Sequence, residues 1–280
     1  MRVSAGKISP LPSLSQAVEA RPPILIFLIG LISFFSWAHP FECMLRAEAR
    51  VPLNSSLLVR FLTENGLSDA TAPVEEVGQQ LGDWLNFRQA IALHGLLGQD
   101  APAPTQRRVA LPEAESLRAQ VQQVHNALHH SISQGTPVAG QPRLDLPPVP
   151  QAPFDPSTAY EPFRRYHIAQ QRQMQSQIRL LRAMLRSHVA ACSAPLQQLA
   201  ALDASFENIL SEREEALLGR LPKLLEKRFS QALKKHLQQP EAAPDTWLTA
   251  WCEQLRAALL AELDTRMQAS LGLLKAYNPP

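Results

Sequence analysis

The chain has 280 residues, 45% of them hydrophobic, and its 27 Lys and Arg against 25 Asp and Glu leave a net charge of +2. That is enough chain for one large or two ordinary domains with a buried core, and the near-neutral balance makes no whole-molecule electrostatic case for nucleic acid or an anionic membrane. Cys43, Cys192 and Cys252 are far apart and lack CxxC spacing, which argues against a disulfide framework or a zinc site and suits a reducing compartment.

With 11 Gly, 24 Pro, 6% aromatics and few runs of Val, Ile, Thr or Tyr, little of the chain reads as strand. The expected fold class is all-α, with a small N-terminal helical module and a C-terminal helical bundle joined by a Pro-rich linker.

Residues 1–53 form an N-terminal tail that admits three readings. Ile24 to Ala38 is uncharged and nearly all apolar, but shorter than the roughly 20 residues that span a bilayer. It is better sized for a signal-peptide core, with Ser36-Trp37-Ala38 as a small-x-small cleavage site, although the leader holding Arg2, Lys7 and Arg21 is long. The third reading takes Met44 as the start. The adopted expectation is a start at Met44 and a cytoplasmic protein; the alternatives are a single inner-membrane anchor at 24–38 and cleaved secretion.

Residues 54–98 are expected as a three-helix module. Asn54 or Ser55 caps a helix with Leu57, Leu58, Phe61 and Leu62, which ends at Asn65-Gly66. Thr71, Pro73, Glu75 and Glu76 start a second, with Val74, Val77, Leu81, Trp84 and Leu85 in its stripe. A third runs from Asn86 to about Leu97.

Residues 99–111 read as a linker. In the helix expected at 112–134, Leu117, Val121, Val124 and Leu128 form a narrow seam. Residues 135–158 contain seven prolines and are expected as a semi-rigid spacer.

Residues 159–280 are expected as a helical bundle. Met174, Ile178, Leu181, Leu185, His188 and Cys192 recur at coiled-coil-like spacing, and Arg165, Arg172, Arg179 and Arg186 recur every seven residues beside them, reinforced by Arg182. After a break at Ser193 to Pro195, an acidic helix carrying Leu199, Leu202, Phe206, Ile209 or Leu210, and Leu217 inward makes an antiparallel hairpin. Gly219 and Pro222 interrupt it. A basic helix through Leu224, Leu225, Phe229, Leu233 and Leu237 follows, then one from Asp245 or Thr246 with Leu248, Trp251, Cys252, Leu255, Leu259, Leu263 and Leu271 in its stripe.

The stretches Asn54 to Leu97 and Phe163 to Leu233, with phrases such as Trp84-Leu85, Leu202-Asp203 and Pro222 to Phe229, resemble a proteobacterial family of domains of unknown function, numbered three-three-four-eight. The resemblance starts near Met44 and leaves residues 1–43 outside. Genes of that family often lie near those for MotA/TolQ/ExbB-like ion-channel and OmpA-like proteins, so the resemblance implies an accessory role in an envelope-associated machine. It carries over no functional residue.

No GxGxxG, GxxxxGK[ST], GxSxG or HExxH pattern is present, so no catalytic residue and no cofactor are expected. His125 and His129 stand at i, i+4, but a catalytic zinc wants three protein ligands, and a structural pair is expected. His188, Cys192, Cys252, Trp84, Trp247 and Trp251 read as packing residues. The arginine row, Arg165, Arg172, Arg179, Arg182 and Arg186, is the candidate partner-binding surface. It either pairs with Asp203, Glu207 and Glu214 of the next helix, or stays exposed for an acidic protein or a nucleic-acid backbone. The function expected first is a non-enzymatic adaptor that self-associates or holds a protein partner through its helices; the alternative is a nucleic-acid-associated regulator. A membrane is expected as partner only if 24–38 is retained, and no small-molecule substrate is evident.

Overall fold

A computed structural model describes residues 57–65, 85–98, 111–148, 158–238 and 246–277. Among them lie seven helices and no strand: α1 Leu57–Glu64, α2 Phe87–Gly98, α3 Ala114–Gln134, α4 Glu161–Cys192, α5 Ala194–Leu218, α6 Leu221–Gln238 and α7 Thr246–Ala276. The protein is all-α. The segment at 24–38, Met44, Cys43, the helix expected at 71–85 with Trp84, and most of the linker at 99–111 lie outside the described residues.

Helix ends follow their sequence signals. Asn86 and Gln89 cap α2 reciprocally: Asn86 Oδ1 accepts from the Gln89 N–H at 2.9 Å, and Gln89 Oε1 accepts from the Asn86 N–H at 3.0 Å. Helix α3 stops at Gly135, whose φ of 68° is left-handed and lets its N–H reach Ser131 O at 3.1 Å. The turn between α4 and α5 is Ser193 alone, whose hydroxyl accepts from the Leu196 N–H at 3.4 Å. Pro195 lies inside the first turn of α5, where a missing amide costs nothing.

Helices α4 and α7 lie side by side and run in the same direction. The rings of Phe163 and Trp251 are 4.7 Å apart at one level, and Gln171 meets Glu262 further along both helices. Helix α3 runs antiparallel to both, with Ser131 by Gln173, His125 by Asp264, and the Tyr277 hydroxyl donating to Pro112 O at 2.6 Å. Segment 112–134 is therefore part of the bundle. Helix α5 returns antiparallel along α4, pairing Asp203 with Arg182 and then Leu218 with Gln171, and α6 continues past Tyr160.

Helices α5 and α6 thus act as one broken helix spanning the 32 residues of α4. Pro222 has no N–H, so the carbonyl of Leu218, four residues earlier, loses its helical donor. Gln171 Nε2 donates to it at 3.0 Å, and the Tyr160 hydroxyl donates to Pro222 O at 2.6 Å. Burial, then the nearby Glu226 charge, push the Tyr160 phenol well above its ordinary range, so it remains a donor. Tyr160→Phe should lower the urea midpoint by the equivalent of about 0.5–1.5 kcal/mol, the net contribution of one hydrogen bond to a carbonyl that keeps its helical donor, with an unchanged denaturant slope.

One core runs through α3, α4, α6, α7 and the start of α5, with fully buried Leu117, Leu128, Met174, Leu185, Leu255 and Leu259. The seam residues of α3 and α4 face this core, and the partner helices of those seams are the chain's own. Residues 135–148, expected as a spacer, form no helix, but Val138 is buried and Leu144 and Leu146 pack on the core. Of the stretch 54–98, α1 sits on α7, with Leu58 in a small cluster with Leu218, Leu221 and Ala261, while α2 lies on α5, where Gln198 donates to Leu96 O at 2.8 Å.

Leu217, Leu237 and Leu271 were expected in buried stripes and are exposed instead. In α5 and α7 the buried place belongs to a near neighbour instead: Leu218 and Leu273, one and two residues on and about 100° and 200° around the helix, are buried. Leu237 is the last residue but one of α6. No helix among the described residues is long and apolar enough to cross a membrane.

Candidate functional site

The outward side of the α4–α5 hairpin carries the arginine row, and the structure divides it. Arg182 makes a bidentate pair with Asp203, at 2.9 and 2.7 Å, and Arg186 bonds both Asp203, at 3.1 Å, and Glu207. Asp203 is almost fully buried. Burial alone would lower the Arg182 pKa, but its hydrogen bond to Asp203 and the surrounding carboxylates raise it. These two arginines serve the hairpin: a bidentate buried pair fixes the register between α4 and α5 and leaves neither charge unpaired.

Among the described residues Arg165 pairs only with Glu161 on its own helix, at an exposed position, where such a pair contributes about 0–1 kcal/mol. Arg172 and Arg179 are exposed and form no ion pair among the described residues. Glu214, the third acid expected against the row, pairs with Arg266 of α7 at 3.0 Å.

Between α4 and α5, above α7, lies a cleft of about 440 Å³. Ile178, Phe206, Leu217 and Leu218 line it, with Leu58 of α1 at its edge, and its charged groups are of both signs, among them Arg179, Arg182 and Arg266 with Glu207, Glu214 and Glu215. Mostly apolar clefts of a few hundred cubic ångströms with a few placed polar groups are the usual form of a binding site.

Beneath the cleft is a buried polar network that the sequence reading did not single out. The Glu262 carboxylate is fully buried. It accepts from Arg266 Nε at 2.9 Å and from Gln171 Nε2 at 3.1 and 3.0 Å, and lies 3.4 Å from His167 Nε2, itself fully buried. Burial pushes the Glu262 carboxyl up, yet the His167 hydrogen bond and the Arg266 charge prevail and hold it below its ordinary value. Gln171 also holds Leu218 O, so the network joins α4, α7 and the end of α5. One sequence signal pointed here: Glu262 stands three residues after Leu259 and beside Leu263, inside an apolar stripe.

The two histidines at i, i+4 meet different neighbours. His125 lies 3.5 Å from Asp264, and His129 Nδ1 lies 3.2 Å from Ser133 Oγ. Among the described residues no three His, Cys, Asp or Glu side chains gather so as to hold a metal ion. Cys252 is buried, its thiol pushed up by burial, and Trp251 is a core residue.

A family model described as a protein of unknown function, DUF3348, matches residues 44–279. The chain belongs to that family. Its footprint covers every helix described above and both stretches that carry the resemblance, and leaves residues 1–43 outside. No curated protein and no solved structure matches the chain.

Proposed function

We propose that this family member is a non-enzymatic helical adaptor that holds a protein partner in the cleft between α4 and α5. The observation that carries this reading is the pairing of a cleft with an apolar floor, with Leu217 55% exposed at its rim, and an exposed Arg179 that forms no ion pair among the described residues. An amphipathic helix suits that chemistry: apolar side chains enter the cleft and a carboxylate meets Arg179. The family resemblance supports placing the partner in an envelope-associated ion-channel or OmpA-like assembly, with the adaptor on the cytoplasmic side when translation starts at Met44.

The test is affinity purification of the tagged full chain from native cells beside its Leu217→Arg and Arg179→Glu variants. Loss of one hot-spot contact costs more than about 1 kcal/mol, so one specific companion should fall about tenfold with each variant and be retained by Arg118→Glu on α3. A companion set that ignores both cleft variants would sink the reading.

The second reading, a nucleic-acid backbone clamp, is favoured by Arg165, Arg172 and Arg179 standing exposed along one helix. With Arg182 and Arg186 engaged by carboxylates, about three phosphates are neutralised, for a log–log salt slope near −2 to −3. The absence of any low-salt gel shift removes it.

A further inference from the structure

Beside the arginine row, on the side of α4 turned to α3, runs an uncharged strip. Apart from Arg179, the exposed positions of α4 beyond Arg172 are Ser176, Leu180, Ala183, Ser187 and Ala191, spaced by 4, 3, 4 and 4 residues and all neutral. The facing flank of α3 presents Ser116, Gln120, Gln123 and Ala127, again neutral. Where 19% of residues are charged, a run of this length on two adjacent helices is a distinct surface. Between the helices lies a groove of about 360 Å³, lined by Gln123, Val124 and Ala127 of α3 and Gln177, Leu181 and Met184 of α4. Leu180 stands on its rim, 67% exposed.

We propose that this α3–α4 face is a self-association surface, where a second copy of the chain docks about a two-fold axis and each Leu180 seats in the other copy's groove. The argument is one of complementarity. A two-fold contact sets one patch against itself, which requires a projection and a recess on the same face; Leu180 and the groove beside it are that pair. A charged partner would lose hydration opposite aliphatic groups with no counter-charge to meet it. A second copy brings an equally neutral face, and glutamine amides, each both donor and acceptor, pair with their own kind.

The coiled-coil-like seams of α3 and α4 are packed inside the bundle; Val124 and Leu181 of those seams reach the groove, and its exposed rim is built from residues outside them. From Ser176 to Ala191 the face is about 23 Å long. With two helices in width it covers roughly 450 Å² per copy, in the weak, reversible class of interface.

The test is sedimentation of the full chain from about 1 to about 200 µM, a range suited to an interface of that class, beside Leu180→Glu and Leu217→Arg. Wild type should rise from 31.0 kDa towards twice that mass. Leu180→Glu should remain at the monomer mass throughout with an unchanged helical circular dichroism spectrum, and Leu217→Arg should self-associate as wild type does. A wild type that stays monomeric, or a Leu180→Glu variant that associates equally well, overturns the proposal. So does a monomeric wild type that holds a different protein only while Leu180 is intact, which would give the face to that partner. Because Leu217→Arg probes the cleft and Leu180→Glu this face, the two readings fail separately.

Discussion

Glu262→Ala is expected to destabilise the protein by about 3–5 kcal/mol, the usual cost of removing one partner from a buried ion pair. The loss is large because of what stays behind: Arg266, 8% exposed at its side chain, and fully buried His167 and partly buried Gln171 lose the carboxylate around which they are arranged. Equilibrium urea unfolding at neutral pH measures it. Glu262→Gln keeps the volume and removes the charge, so it isolates the electrostatic part.

The sign of the pH dependence follows from the same contacts. The Glu262 carboxyl is held below its ordinary value of 4.5, so its anion favours the folded state. Its contribution is fully present above the unfolded-state pKa, and is lost as pH falls through the lower folded value. The stability gap between wild type and Glu262→Gln should therefore be constant near neutrality and narrow below about pH 4.5. A gap that persists unchanged into acid would show that His167 and Arg266 are not held by the anion.

Trp251→Ala carries the second large effect, also about 3–5 kcal/mol. Trp251 is 2% exposed and meets Phe163 at 4.7 Å, Phe229 at 5.0 Å and Tyr160 at 5.9 Å between ring centroids, each edge-on. These four rings tie α4, α6 and α7 together where the chain enters α4, and edge-on pairs add to simple burial. The indole Nε1 is buried without a hydrogen-bond partner among the described residues. Trp251→Phe removes that donor and keeps an aromatic ring, so it should cost less than about 1.5 kcal/mol. Thermal unfolding of the two variants checks the contrast; equal losses would mean that the indole N–H, not the ring, holds the cluster.

The arginine row shows how far a helical repeat can be read. A spacing of seven residues is legible as a row, but on a straight helix it drifts by about 20° per heptad. From Arg165 to Arg186 that amounts to roughly 60°, enough to leave Arg165, Arg172 and Arg179 in solvent and turn Arg186 towards α5 and its carboxylates. Glu262 went unread as a buried group because a carboxylate in an apolar stripe is costly unless donors meet it, and its donors His167 and Gln171 lie more than ninety residues away in the chain.

By itself the sequence determined the all-α class, a helix across 112–134, a helix start at Asn86, the hairpin turn at Ser193 and the interruption at Pro222. These are consequences of periodicity, capping and proline chemistry, which act within a few residues. Tertiary structure alone decided that α4 and α7 run together as the central pair, that α3 and residues 135–148 close onto them, and that two of five arginines are spent on the hairpin. An amphipathic stripe states that a face will be buried without naming what buries it, and that choice rests on packing and buried polar pairs between residues distant in the chain.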